Sequence, residues 1–153
     1  DITKKNLVFF SEPVLNERKE RISLIDLETN HKGMKVGDLI QELYSQEYNL
    51  FIRQHPVEKK IKGNWNYLDN FSLRDIFLLS DSVSGLSSTP IYYASQLGIE
   101  VINVENHLKN WKSENSQIPI SLWENINQFY KGKKIQKTHF RKDSLEQLIK
   151  QML

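Results

Sequence analysis

The chain has 153 residues, enough for one domain with a hydrophobic core and too few for two complete domains. Hydrophobic residues make up 39% and charged residues 26%, a balance typical of a folded domain rather than a disordered chain. The net charge of +2 is too small to indicate a nucleic-acid partner. The absence of cysteine excludes disulfides, cysteine nucleophiles and thiolate-bound metals, and is compatible with a reducing cytoplasm.

The first half of the chain alternates short apolar runs with a segment of helical period. Residues 7–10 predict a strand, and the Ser-Glu-Pro sequence at 11–13 predicts a turn after it. A helix with one apolar stripe is predicted next, formed by Val36, Leu39, Ile40, Leu43 and Tyr44. Residues 48–53 then predict a second strand, which stops at the sequence Gln-His-Pro.

The second half carries clearer helix signals. Residues 72–75 have the form of a capping box and predict a short helix through residue 79, followed by a strand at 81–86. Thr89 is predicted to cap the next helix, with Pro90 at its first position and Gly98 as a left-handed C-terminal cap. Residues 99–104 predict a buried parallel strand, and two helices beginning at Ser121 and Asp143 are predicted to close the chain.

Strands that alternate with helices predict a three-layer, Rossmann-like α/β domain with a mostly parallel sheet covered on both faces. We expect residues 1–153 to form a single domain of this kind, with 131–153 as a basic segment and closing helix. In such sheets, ligands bind outside the carboxyl ends of the strands. Three segments are expected at that edge, namely residues 11–13, 54–60 and 84–90.

The first candidate cluster follows the strand at 48–53 and contains His55 and Pro56. An imidazole at a strand end can hydrogen-bond or protonate a departing phosphate group, and proline biases the preceding residue toward an extended conformation. Lys59 and Glu12 are further candidates for contacts at this ligand edge. His-Pro alone is a dipeptide of low specificity, so an ordinary loop histidine remains an alternative.

The second cluster lies between a predicted strand and a predicted helix, and contains Gly85, Ser87, Ser88 and Thr89. Backbone N–H groups and the positive end of the helix dipole make such a junction an anion site, to which hydroxyls add donors. Simple N-capping of the helix remains an alternative. A hydrolase nucleophile elbow fits poorly, because Thr89 stands where that motif requires glycine.

Together the two clusters resemble a motif pair of bacterial sialyltransferases of the GT-B fold. Those families share a His-Pro motif, here His55-Pro56 in RQHPVEKK, and a Ser-Ser motif, here Ser87-Ser88 in DSVSGLSSTPIYYASQLG. The chain is most similar to the lipooligosaccharide sialyltransferases (glycosyltransferase family 52), with capsule polysialyltransferases close behind. The resemblance covers residues 7–104.

The resemblance implies that the chain is the C-terminal, donor-binding half of such an enzyme. CMP-sialic acid would be the donor, bound without a metal ion or another cofactor, and His55 would stabilise or protonate the departing CMP phosphate. The nucleotide and its phosphate would contact Pro56, Gly85, Ser87, Ser88 and Thr89. The acidic Asp/Glu-Asp-Gly motif that supplies the base in these families is absent here. We therefore expect the chain to be inactive alone, and the glycan acceptor to bind through a missing N-terminal domain.

Two alternative functions remain. One is a domain for another nucleotide-activated donor, such as a UDP-sugar transferase or epimerase or a capsule glycerophosphotransferase, and the other is a non-catalytic nucleotide-binding module. We expect a cytoplasmic location and no nucleic-acid partner. The basic run at 131–142 is expected to be a solvated surface segment, with peripheral association with the inner face of the plasma membrane as the alternative. Homo-oligomerisation is also left open.

Overall fold

The computed structural model describes residues 3–61, 63–86, 88–108 and 112–113. The helices and strands follow one another in the order β1 (Lys5–Phe10), β2 (Pro13–Leu15), β3 (Arg21–Ser23), α1 (Val36–Tyr44), β4 (Tyr48–Arg53), β5 (Asn66–Tyr67), α2 (Leu73–Leu79), β6 (Ser82–Gly85), α3 (Thr89–Gln96), β7 (Glu100–Asn103) and β8 (Lys112–Ser113). None of the helices in this part of the chain is long and apolar enough to cross a membrane.

Five of the strands form a parallel sheet in the order β5-β4-β1-β6-β7. Val8 of β1 pairs with Phe51 on one side and with Val83 on the other, so β1 lies at the centre. The chain builds one side of the sheet first and then crosses β1 to build the other. With the five strands numbered in chain order, this is the order 3-2-1-4-5 of a doubly wound Rossmann sheet, and the predicted α/β Rossmann-like fold is confirmed. The order reverses between β1 and β6, where a ligand crevice is expected.

The core forms around the central strand. Leu7, Val8 and Phe9 are completely buried, as expected for the middle of a parallel sheet whose two faces are covered. The ring of Phe10 lies 6.2 Å from that of Phe77 on α2, and the ring of Phe9 lies 6.1 Å from that of Trp65. Each fully buried side chain of this size contributes roughly 1.5–3 kcal/mol to folding.

Local signals set most of the helix ends. Ser72 caps α2 as predicted, since its Oγ accepts the N–H of Asp75 at 3.2 Å. Gly98 follows α3 with a φ of 76°, which confirms the left-handed cap. The apolar stripe of α1 is narrower than predicted, because Leu43 is 47% exposed. The start of α3 was predicted one residue too late: Ser88, not Thr89, is the N-cap.

A small antiparallel sheet in the order β3-β2-β8 was not predicted. Pro13 begins β2, where its missing N–H is tolerated, so the predicted turn at 11–13 is only a short link between strands. β7 is an edge strand and is only partly buried, rather than fully buried as predicted. The helices predicted from Ser121 and Asp143, and the basic segment within 131–153, lie outside the described residues.

Candidate functional site

The carboxyl edge of the parallel sheet brings the three predicted segments together. β1 continues into Ser11 and Glu12, β4 into the turn at His55, and β6 into Leu86 and the start of α3 at Ser88. β4 and β6 are the two neighbours of β1. Because adjacent strands lie about 4.8 Å apart, their ends are separated by roughly 10 Å. A ligand of nucleotide size at this edge can therefore contact both segments.

The His-Pro dipeptide belongs to a β-turn in which the N–H of Glu58 donates to the C=O of His55 at 2.9 Å. Pro56 occupies the second position of this turn, where its fixed φ is favourable. The N–H of Val57 donates to Nδ1 of His55 at 3.3 Å. The neutral imidazole therefore carries its proton on Nε2. The ring is exposed, and no other hydrogen bond to it occurs within the described residues, so Nε2–H can donate to a phosphate oxygen.

The carboxylate of Glu58 ties this turn to two other elements. Its Oε1 accepts the N–H of His55 at 2.8 Å. Its Oε2 accepts the hydroxyl of Ser11 at 2.8 Å and also the hydroxyl of Ser23. The end of β1, the end of β3 and the His55 turn thus converge on one side chain. Glu58 is not among the candidate residues that the sequence indicates, because its local signal is no more than an acidic residue three positions after His55.

The residues before the turn fix the loops around it. Gln54 is buried, and its side-chain amide donates to the C=O of Lys59 at 2.9 Å and accepts the N–H of Ile61 at 3.0 Å. The guanidinium of Arg53 donates to the C=O of Leu68 at 2.6 Å and reaches two further carbonyls of the loop after β5. The backbone of Lys59 is therefore held in place while its side chain remains exposed.

Packing explains the glycine of the second cluster. A Cβ at Gly85 would lie 2.9 Å from the backbone oxygen of Phe10 and 3.0 Å from Cδ1 of Ile91. Glycine therefore allows the end of β6 to approach both β1 and α3 closely. The end of the central strand and the first turn of α3 therefore both pack against the end of β6.

The start of α3 carries the hydroxyls of the second cluster. Ser88 is the N-cap, but its Oγ accepts no hydrogen bond from the first turn. This oxygen is buried and has no hydrogen-bond partner within the described residues. Thr89 is the first residue of the helix and is half-buried, whereas Ser87 lies outside the described residues. The structure therefore offers a helix N-terminus with a cap oxygen that the helix does not use.

A groove of about 780 Å³ runs between the β2–β3 hairpin and the residues that follow Pro56. Lys59 and Glu58 line it together with Arg18 and Arg21 of the hairpin, whereas the second cluster does not. Charges of both signs line this groove, so it presents no field of a single sign. Of the two predicted ligand-edge residues, Lys59 reaches the groove. Glu12 is instead buried, with its C=O accepting the N–H of Leu24 at 2.8 Å.

In the part of the chain that the structure describes, no three His, Asp or Glu side chains are grouped as metal ligands. Comparison of the chain with family models, with curated proteins and with solved structures found no match. Function is therefore inferred from the strand order, the geometry of the carboxyl edge and the pair of sequence motifs.

Proposed function

We propose that this chain is the donor-binding domain of a glycosyltransferase that transfers sialic acid from CMP-sialic acid to a cell-surface glycan. The observation that carries the proposal is the position of the His55 turn and of Ser88 on either side of the central strand, beside the reversal of strand order. Nucleotides bind at such reversals in doubly wound sheets. The resemblance of the His-Pro and Ser-Ser pair to sialyltransferase motifs supports CMP-sialic acid as the donor.

The start of α3 suits the phosphate of CMP. The helix dipole favours negative charge there, and a phosphate oxygen would give the hydroxyl of Ser88 the partner that it lacks within the described residues. A buried hydroxyl without a partner costs roughly 1–3 kcal/mol. Bound phosphate would remove this cost, which supports an anion as the ligand at this position.

His55 would act on the same phosphate during transfer. As the bond between sialic acid and CMP breaks, negative charge grows on the phosphate oxygen that leaves. The Nε2–H of His55 would donate a hydrogen bond to this oxygen and stabilise its charge. The sialyl group would carry oxocarbenium character, and the oxygen of the acceptor hydroxyl would bond to its anomeric carbon while a carboxylate of a second domain takes the hydroxyl proton. In this proposal the chain alone binds the donor without transferring it.

Calorimetric titration with CMP, UMP and UDP tests the proposal. CMP should bind in preference to the uridine nucleotides, and His55→Ala and Ser88→Ala should each weaken CMP binding about tenfold, since each removes a hydrogen bond to a charged group. His31→Ala is the matched control, because His31 is an exposed histidine of another loop. Preference for uridine nucleotides would favour a different donor. CMP binding without transfer, after a domain with the acceptor base is added, would favour a non-catalytic module.

A further inference from the structure

The turn that carries His55 has little apolar packing of its own. His55 and Pro56 are exposed, and Val57 is 55% exposed. Its conformation therefore depends on hydrogen bonds. Glu58 supplies most of them, because its N–H closes the turn and its carboxylate accepts the N–H of His55. The other oxygen of the same carboxylate is fixed by the hydroxyls of Ser11 and Ser23.

We propose that Glu58 is a positioning residue that holds the imidazole of His55 ready for the donor phosphate. The role of His55 in this inference rests on the proposed function, whereas the hydrogen bonds between Glu58 and the His55 turn do not depend on it. Charge-assisted hydrogen bonds are stronger than neutral ones, so a carboxylate with three donors fixes the turn before any ligand arrives. A ligand that meets a fixed histidine loses less conformational freedom on binding than one that must order the turn.

Glu58→Leu is the informative change, because it keeps most of the size of the side chain and removes both acceptor oxygens, whereas the NH₂ group of a glutamine could still donate to the two serine hydroxyl oxygens. The bond from His55 and the two serine bonds are then all lost. Glu28→Leu is the matched control. Glu28 lines the same groove, carries the same charge and makes no hydrogen bond to the turn within the described residues. Ser23→Ala is a second, milder variant that removes one donor and leaves the carboxylate intact.

The readout is the ¹⁵N NMR spectrum of the His55 ring at about pH 8.5, where histidines are ordinarily neutral. In the wild-type chain the two nitrogens should have well-separated shifts, with the proton on Nε2. In Glu58→Leu the shifts should move toward each other as the Val57 bond to Nδ1 loosens, and CMP affinity should fall about tenfold. Ser23→Ala should move both quantities in the same direction by less, and Glu28→Leu should leave both unchanged.

Ring shifts in a folded Glu58→Leu chain that match those of the wild type would overturn the inference. If Glu58→Leu fails to fold, the ring shifts of Ser23→Ala decide in the same way. If the wild-type chain binds no CMP, the proposed function fails, whereas the ring shifts still decide whether Glu58 positions His55.

Discussion

Ser72 and Ser88 are a matched pair of N-caps with different predicted roles. Their backbones are nearly identical, with φ and ψ of −66° and 152° for Ser72 and of −68° and 151° for Ser88. Ser72 accepts the N–H of Asp75 at 3.2 Å, so Ser72→Ala should lower the free energy of unfolding by about 1 kcal/mol. The hydroxyl of Ser88 makes no cap bond and is buried without a partner in the described residues. Ser88→Ala should therefore leave stability unchanged, or raise it by up to about 1 kcal/mol.

Urea unfolding followed by circular dichroism, with and without CMP, measures both effects. A loss of 1 kcal/mol corresponds to a fall in Tm of roughly 2–4 °C for a chain of about this length. Ser72→Ala should lose stability and keep its affinity for CMP, whereas Ser88→Ala should show the reverse. If Ser88→Ala loses as much stability as Ser72→Ala and still binds CMP, then Ser88 is an ordinary helix cap and the reasoning is wrong.

Two further predictions concern the sheet edge and the opposite end of the domain. Gly85→Ala should lower the free energy of unfolding by about 1–3 kcal/mol, because its Cβ would lie 2.9 Å from the backbone oxygen of Phe10. Adding Ile91→Val to this variant removes Cδ1, which would lie 3.0 Å from the new Cβ, and should recover part of the lost stability. Urea unfolding midpoints measure both effects. The pKa of Tyr44 is raised by burial first, and then by the negative charges of Tyr48, Glu100 and Glu47. As pH rises, this tyrosine therefore ionises in the unfolded chain before it does in the folded one, so the free energy of unfolding should fall above about pH 10. The urea midpoint of Tyr44→Phe should fall less between about pH 9 and pH 11 than that of the wild type. Equal falls in the two proteins would contradict the assignment of this pH dependence to Tyr44.

The sequence predicted elements whose signals are local. β1 and β4 are apolar runs bounded by polar residues, and the Ser72 capping box starts α2. Gly98 follows α3 at a position with positive φ, which glycine adopts without strain. The parallel order of the sheet then follows from the alternation of strands with helices. These features also predict the edge at which ligands bind.

Features that depend on distant partners were missed. β2 and β3 have three residues each, and β8 has two, so none shows a periodic pattern. The role of Glu58 depends on Ser23, 35 positions away, and on Ser11, 47 positions away, and neither separation leaves a signal in a single sequence. Ser88 and Thr89 are both favourable N-cap residue types, and only the extended backbone of Ser88 decides which of them caps the start of α3.

We propose that CMP binds at the carboxyl edge, between the His55 turn and the start of α3. The most direct test is titration of the ¹⁵N-labelled chain with CMP, observed in backbone amide NMR spectra. We expect shift changes at residues 11–12, at His55, Val57 and Glu58, and at residues 85–89, with none on α1 around the exposed Leu43. An absence of shift changes at millimolar CMP, or changes confined to other surfaces, would contradict the proposed function.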